Sequence, residues 1–265
     1  RHWEASARQA PEWATFRGDH RFGGELAQVG PAAEADRKAR VQAFLQEAES
    51  LAADTLNATD RLSREMFVHN LRSQLALSRF EGYRGMNLGA LRGAHTLMSG
   101  LLQQQPVNTD EQREQLLSRL AQHPRRIDQE IDQLLRSAAQ GWVPARPVLQ
   151  RVIAQLDGQI RADVATGPFM EPWRRLPAGT DPAQAARWRE RGEAAVRRDV
   201  IPALQKLRDT VAQRLMPQAP QAGGLLRYPG GAEVYEELVR QSTTTKKTAR
   251  EIHELGLAEL DRLHQ

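Results

Sequence analysis

The sequence contains no cysteine. Neither disulfides nor thiolate metal sites can form without this side chain, and a cysteine nucleophile is excluded as well. The absence of cysteine assigns no compartment. Aromatic residues are also scarce, at 5% of the chain, so we expect a core built mainly from leucine, alanine, valine and isoleucine.

Long apolar runs are missing too. No stretch approaches the roughly 18 apolar residues that a membrane-spanning helix needs, so we expect no transmembrane segment. The chain begins at Arg1-His2-Trp3-Glu4, without a methionine and without an apolar leader behind it. We therefore expect it to start inside a longer precursor, which leaves its compartment open.

Lysine is rare: of the 37 lysine and arginine residues, only those at positions 38, 206, 246 and 247 are lysine. The formal net charge of +4 still raises nucleic-acid binding as a hypothesis. Most arginines, however, lie near acidic residues, as in Arg187-Trp188-Arg189-Glu190-Arg191, which is typical of solvated helix faces. We predict no nucleic-acid partner.

Apolar residues recur at helical spacing along most of the chain. The clearest stripe is formed by Ile127, Ile131, Leu134, Leu135 and Ala138, which follow the rule for one face of a helix. No alternating stretch of useful length indicates a strand, although short strands are possible near 86–91 and 225–228. The sequence predicts a mainly α fold: a multi-helix bundle with kinked long helices and few or no short strands.

Capping residues and prolines set the predicted helix boundaries. Thr109-x-x-Gln112 and Thr248-x-x-Glu251 have the spacing of a capping box, and Asp181-Pro182 places a cap before a first-turn proline. His123-Pro124 is predicted to break a helix and Pro202 to kink one. We predict one helical region over 1–265, with a possible break between two lobes near 217–224, where the sequence PQAPQAGG is typical of a linker.

Two segments are candidates for a binding surface. Residues 82–100 contain five glycines and no sustained helical stripe, and irregular segments on rigid helices often carry binding residues. We predict that Asn87, Arg92 and His95 face a substrate; the alternative is that each is an ordinary loop residue. The second segment, Tyr228–Thr245, adds Tyr228 and Tyr235.

No complete catalytic motif is present. His253-Glu254 opens a possible zinc helix, but Leu257 stands where the second histidine ligand is needed, and His264 lies roughly 16 Å further along the same helix. The sequence also lacks a Gly-x-Ser-x-Gly elbow and a Walker motif. We assign no catalytic residue and no metal ligand within this chain.

Several short motifs resemble one bacterial family in their residues and in their order. They are Pro11-Glu12-Trp13-Ala14-Thr15, Gly18-Asp19-His20-Arg21, Gly141-Trp142-Val143-Pro144, Gly167-Pro168-Phe169 with Pro172, Pro229-Gly230-Gly231 with Tyr235, Thr243-Thr244-Thr245, Thr248, Glu251-Ile252-His253 and Gly256-Leu257-Ala258-Glu259. Together they cover nearly the whole chain. On these motifs the sequence resembles the bacterial domain-of-unknown-function family 885.

The resemblance implies a mostly helical, zincin-like, metallopeptidase-related protein that is often exported or lipid-anchored, so a periplasmic or exported location is favoured. In that family a His-Glu helix followed by Pro-Gly-His binds zinc, and no position of this chain matches that motif. We therefore expect an amino-terminal half, with zinc bound only in the complete protein and none bound by this chain. Its expected partners are a carboxy-terminal half, or a completing chain, and a peptide-like substrate.

Two function hypotheses follow. The first is the cleft-forming half of a hydrolase that acts on peptide or amide bonds, inactive as this chain alone. The alternative is a non-enzymatic helical interaction module. A half-enzyme should expose a large apolar face, whereas an independent module should bury its apolar residues in its own core.

Overall fold

The computed structural model describes residues 1–264. Its helices are α1 (His2–Gln9), α2 (Pro11–Phe16), α3 (Pro31–Ser50), α4 (Ala58–Ser78), α5 (Glu81–Gly85), α6 (Ala94–Gln104), α7 (Asp110–Ala139), α8 (Arg146–Arg161), α9 (Glu171–Arg174), α10 (Pro182–Ala195), α11 (Ile201–Thr210), α12 (Gly231–Thr243) and α13 (Ala249–His264). Within these residues the only extended pairing is one bridge between Leu88 and Gly93. The predicted mainly α bundle is confirmed.

Helix α7 is the central element. Its capping box forms as predicted: the Thr109 hydroxyl accepts from the Gln112 N–H at 3.2 Å, and the Gln112 side chain accepts from the Thr109 N–H at 3.3 Å. The predicted break at His123-Pro124 is wrong, because α7 continues through Pro124. A proline inside a helix costs about 3 kcal/mol. The fully buried Leu120 and Ile127 on either side of it offset that cost.

The main core lies between α7, α8, α10 and α11. Leu120, Leu149, Leu204 and Leu207 are fully buried there. Asp181 caps α10 as predicted, since its carboxylate accepts from the Gln184 N–H at 2.9 Å. Fully buried leucines on α7, α8 and α11, with the buried Trp188 of α10, explain why the bundle is stable without disulfides.

One long helical segment joins α10 to α11 and continues beyond it. The irregularity predicted near Pro202 is a π-helical turn, Val196–Val200, that directly precedes α11. A second π-helical turn, Val211–Leu215, follows α11. Such turns widen the helix locally, and the wider turn before Pro202 accommodates a residue that has no N–H to donate.

The two segments with possible short strands have other structures. Residues 86–91 contribute only Leu88 to a bridge, and Leu225–Arg227 is a 3-10 turn. Near the predicted break at 217–224, the Pro220 carbonyl accepts from the Arg146 N–H at 2.8 Å, which ties this segment to the start of α8. The division into two lobes stays a prediction.

Two elements pack less closely onto the core. Helices α3 and α4 form a hairpin that packs mainly on itself, with His2 held edge-on against Phe44 and Phe67. Helix α13 begins at the predicted capping box, where the Glu251 carboxylate accepts from the Thr248 N–H at 2.7 Å, but it has no buried residue.

Within residues 1–264, no helix is long and apolar enough to cross a membrane.

Candidate functional site

The two predicted binding segments meet around Trp142. Its indole stacks on the ring of Tyr228, with 4.7 Å between ring centroids and 10° between planes. Tyr83 packs edge-on against the same indole at 5.8 Å, and Val234 of α12 is fully buried beside them. These four residues form the aromatic cluster, which fastens the 82–93 segment to the 228–243 segment.

Close backbone contacts hold the aromatic cluster in place. A Cβ atom at Gly82 would lie 2.3 Å from Cδ1 of Trp142, so only glycine allows this approach. The Ser137 hydroxyl of α7 donates to the carbonyls of Gly82 and Trp142. The Tyr228 hydroxyl donates to the Val143 carbonyl at 2.8 Å, and burial raises the pKa of this phenol. Tyr228 therefore positions its segment with a hydroxyl that is already bonded.

His95 is also buried, with 1% of its surface exposed. It lies in the first turn of α6 and not in an irregular loop, because the irregular segment is shorter than the sequence indicates. Its Nε2 is 2.9 Å from the Gln155 amide oxygen. The Gln155 amide nitrogen donates to the Ala90 carbonyl at 2.9 Å, so the oxygen must face His95 and Nε2 must carry the proton.

This arrangement defines the charge state of His95. Burial lowers its pKa, and the hydrogen bond to Gln155 opposes that effect less strongly. The imidazole is therefore neutral at pH 7, with Nδ1 as a buried acceptor that has no partner in residues 1–264. The contacts of His95 join α6 to α8, and Gln159 strengthens this link by donating to the His95 carbonyl at 3.2 Å.

The other three predicted residues are exposed. Asn87 and Arg92 lie on the loop before α6, and neither side chain has a hydrogen bond within residues 1–264. Leu91 between them is 90% exposed. Tyr235 is 44% exposed on α12. The loop and α12 both pack against the aromatic cluster through Met86 and Val234, and the three side chains extend from these packed segments.

A cavity of about 330 Å³ opens beside α5. It is bounded by the start of α3, by α5 and by the last turns of α7, and charged side chains line it: Glu34, Lys38, Glu81, Arg84 and Arg136. Arg84 pairs with Glu34 across the cavity wall at 2.7 Å. Sequence reasoning missed this site because its residues are far apart in the chain and form no motif.

The amino-terminal motif of the family resemblance has a structural role. Arg119 of α7 is fully buried and donates to the Pro11 and Phe22 carbonyls, at 3.1 and 3.2 Å, and to the Thr15 hydroxyl at 2.9 Å. Burial lowers the pKa of Arg119 to about 10, so it stays charged at pH 7. This guanidinium holds residues 11–22 against the bundle.

A buried ion-pair network reinforces the same attachment. Glu12 accepts from Arg126 at 2.8 Å, and Arg126 also contacts Glu130 at 2.9 Å. All three side chains are largely buried, and Glu12 also accepts from the Ala27 N–H at 3.1 Å. The acidic residue of the Pro-Glu-Trp motif is thus part of the structure that holds the amino terminus.

The described residues do not fit a zinc site. No group of three or more histidine, aspartate or glutamate side chains within residues 1–264 is arranged to hold a metal ion. His253 is exposed on α13, and Leu257 one turn later is 50% exposed. His123 is buried, and burial lowers its pKa to about 4.

Comparison with known proteins gives a family and a fold. A family model described as "Bacterial protein of unknown function (DUF885)" matches residues 11–265. A crystal structure described as that of a "putative lipoprotein" from Colwellia psychrerythraea superposes with a TM-score of 0.80 at 20% identity. The superposition covers 97% of this chain and 47% of that one, so the chain spans about half the length of its solved neighbour. A search of curated proteins gives no match.

Proposed function

Because the chain belongs to the bacterial DUF885 family, we propose that it is the amino-terminal, cleft-forming part of a zinc-metallopeptidase-like hydrolase. The complete protein would act on peptide or amide bonds. Zinc, held outside this chain, would supply a polarised water molecule there. The part described above would bind and orient the substrate.

The uncovered face of α13 is the observation that supports this proposal best. Leu255, Leu257, Leu260 and Leu263 are between 50% and 68% exposed. A 16-residue helix with no buried residue is marginal in water, and the stability of helices in proteins comes from packing of their apolar face. The face therefore needs a covering surface, which a carboxy-terminal half or a completing chain would provide.

The length of the solved neighbour supports the same proposal. That chain has the same fold over 47% of its length, so about half of it lies outside the match. A second portion packed on α13 would create a cleft between the two halves. Asn87, Arg92 and Tyr235 are the side chains that we propose for its wall, with Arg92 able to bind a peptide carboxylate.

An exported location fits this function. The family resemblance favours export, and the solved neighbour is described as a "putative lipoprotein". A peptide hydrolase outside the cytoplasm would meet peptide substrates there. We propose this location on those two observations.

The test compares two forms of the protein. The complete reading frame that encodes this chain should yield a protein with one zinc ion per molecule and peptide hydrolase activity. The 265-residue chain alone should show neither, as measured by metal analysis and by cleavage of a fluorogenic peptide library. Stoichiometric zinc and hydrolysis in the 265-residue chain alone would overturn the proposal.

The same experiment tests the alternative function. If the protein is a non-enzymatic helical interaction module, the complete protein should bind no zinc and should hydrolyse no peptide. A stop codon directly after the codon for Gln265 would favour that alternative. An open frame that encodes a His-Glu helix and a following Pro-Gly-His would favour the hydrolase.

A further inference from the structure

We propose that the cavity between α3, α5 and α7 binds a small ligand with two carboxylates and one ammonium group, which is the chemistry of an acidic amino acid. This site does not depend on the proposed hydrolase. It is formed entirely by residues of this chain, and it lies beside α5 and not at the exposed face of α13.

The argument begins with the charges around the cavity. Three of its walls each contribute one exposed charged side chain without an ion-pair partner among residues 1–264: Lys38 from α3, Glu81 from α5 and Arg136 from α7. None of the three donates or accepts a side-chain hydrogen bond within the described residues. Most other charged side chains near the cavity are paired, as Glu34 is with both Arg37 and Arg84.

The number and signs of these charges indicate which class of ligand fits. Two unpaired cations can each receive a carboxylate, and the unpaired Glu81 can receive an ammonium group. A ligand with two carboxylates and one ammonium therefore carries one opposite charge for each of the three side chains. Its net charge of −1 also complements the cavity, whose lining has three cations and two carboxylates.

The size and shape of the cavity agree with such a ligand. About 330 Å³ is at the lower end of the range for small-molecule sites. The first turn of α3, at Gly30 and Pro31, also borders the cavity, and the positive end of a helix dipole favours a carboxylate there. A second cavity of about 160 Å³ shares Glu34, Lys38 and Arg84, so a longer ligand has room to extend between α3 and α4.

Binding should also fasten α3 to the bundle. Helix α3 packs chiefly on α4, and the Glu34–Arg84 pair is its link to α5. A ligand that contacts Lys38 on one side and Arg136 on the other would bridge α3 to α7. We therefore expect the amides of all three cavity walls to respond to binding.

A chemical-shift titration of the ¹⁵N-labelled chain with L-glutamate tests the site. We expect saturable shifts on α3, α5 and the end of α7. Glutarate, which lacks the ammonium group, and L-glutamine, which lacks one carboxylate, should each bind at least tenfold more weakly, because each loses one charge-assisted contact. No saturable shifts, or shifts confined to other helices, would overturn the site.

Three variants assign the roles. Arg136→Gln should weaken L-glutamate binding at least tenfold, whereas Arg151→Gln, an exposed arginine of α8 outside the cavity, should leave it unchanged. Equal losses in both variants would show a general charge effect and overturn the site. Glu81→Gln should make L-glutamate and glutarate bind equally; an unchanged preference for L-glutamate would overturn the assignment of the ammonium partner.

Discussion

At the scale of single residues, buried polar side chains determine how the amino-terminal segment is held against helix α7. Arg119 is fully buried without a direct carboxylate partner, and carbonyl, amide and hydroxyl oxygens satisfy its donors. Burying a charge is costly unless hydrogen bonds compensate for it. The position therefore tolerates little besides arginine, whose planar head matches several acceptors at once.

Arg119→Met should lower the free energy of unfolding by about 3 kcal/mol or more. The substitution leaves the Pro11, Phe22 and Glu25 carbonyls without their buried donor. Urea unfolding measures the effect. Arg125→Met, at an exposed position of the same helix, is the matched control and should change stability by less than about 0.5 kcal/mol. Equal effects of the two substitutions would contradict this role.

His123 makes the stability depend on pH. Burial, with a contribution from Arg126, lowers its pKa from 6.5 to about 4, and the nearby Asp199 opposes this shift less strongly. Between these two values the unfolded chain binds a proton that the folded chain does not. The free energy of unfolding therefore falls as the pH drops from about 6.5 to about 4.

In His123→Leu, the free energy of unfolding should fall less steeply as the pH drops through this window. We expect the slope to be smaller by about 1.4 kcal/mol per pH unit. Urea unfolding at pH 6.5, 5.5 and 4.5 gives the slopes. The exposed His69→Gln is the control and should keep the slope of the unsubstituted protein. A His123→Leu slope equal to that of the unsubstituted protein would show that this histidine is not the titrating group.

At the scale of elements, helix packing depends on close backbone approach. Helix α5 is only five residues long, and it is held by Gly82 against Trp142 and by Gly85 against α7. Its position orients Tyr83 into the aromatic cluster and Glu81 and Arg84 toward the charged cavity. One short helix thus connects the two candidate sites.

Gly82→Ala should destabilise the protein by about 1–3 kcal/mol, because the new methyl group would meet the Trp142 indole at 2.3 Å. Gly158→Ala in α8 is the comparison, since no atom lies within 4 Å of a Cβ there. It should stabilise the helix by about 0.5–1 kcal/mol. Thermal unfolding measures both, and destabilisation of equal size in the two variants would contradict the proposed contact.

At the scale of the whole molecule, α13 differs from the bundle because none of its residues is buried. Val234 of α12 is fully buried, whereas the leucines of α13 are at least half exposed. Helix α12 is therefore anchored to the bundle by a buried side chain, whereas α13 is not.

Leu260→Glu combined with Leu263→Glu should change the unfolding free energy of the 265-residue chain by less than about 0.5 kcal/mol, because neither side chain is buried. Val234→Ala should cost about 1–3 kcal/mol in the same urea assay. If a second portion covers α13, as proposed, the double substitution should be strongly destabilising in the longer protein. An effect in the short chain as large as that of Val234→Ala would show that α13 already packs there.

Particular residues show how far the sequence could predict the structure. The capping boxes at Thr109 and Thr248 and the helix start at Asp181 form as predicted, since capping depends on residues three positions apart. The break predicted at Pro124 was wrong, because burial of the flanking apolar stripe outweighs one missing hydrogen bond. Tyr228 and His95 were predicted to face a substrate, and the structure places both in buried hydrogen bonds.

The sequence by itself determined the helical class, the main helix boundaries and the family motifs. Those properties depend on apolar spacing and caps, which act within about four residues along the chain. Only the tertiary structure decided which side chains are buried, which face of α13 stays uncovered, and which charges share a cavity. Lys38, Glu81 and Arg136 come together there because three helices pack around one space, and no local rule relates positions so far apart.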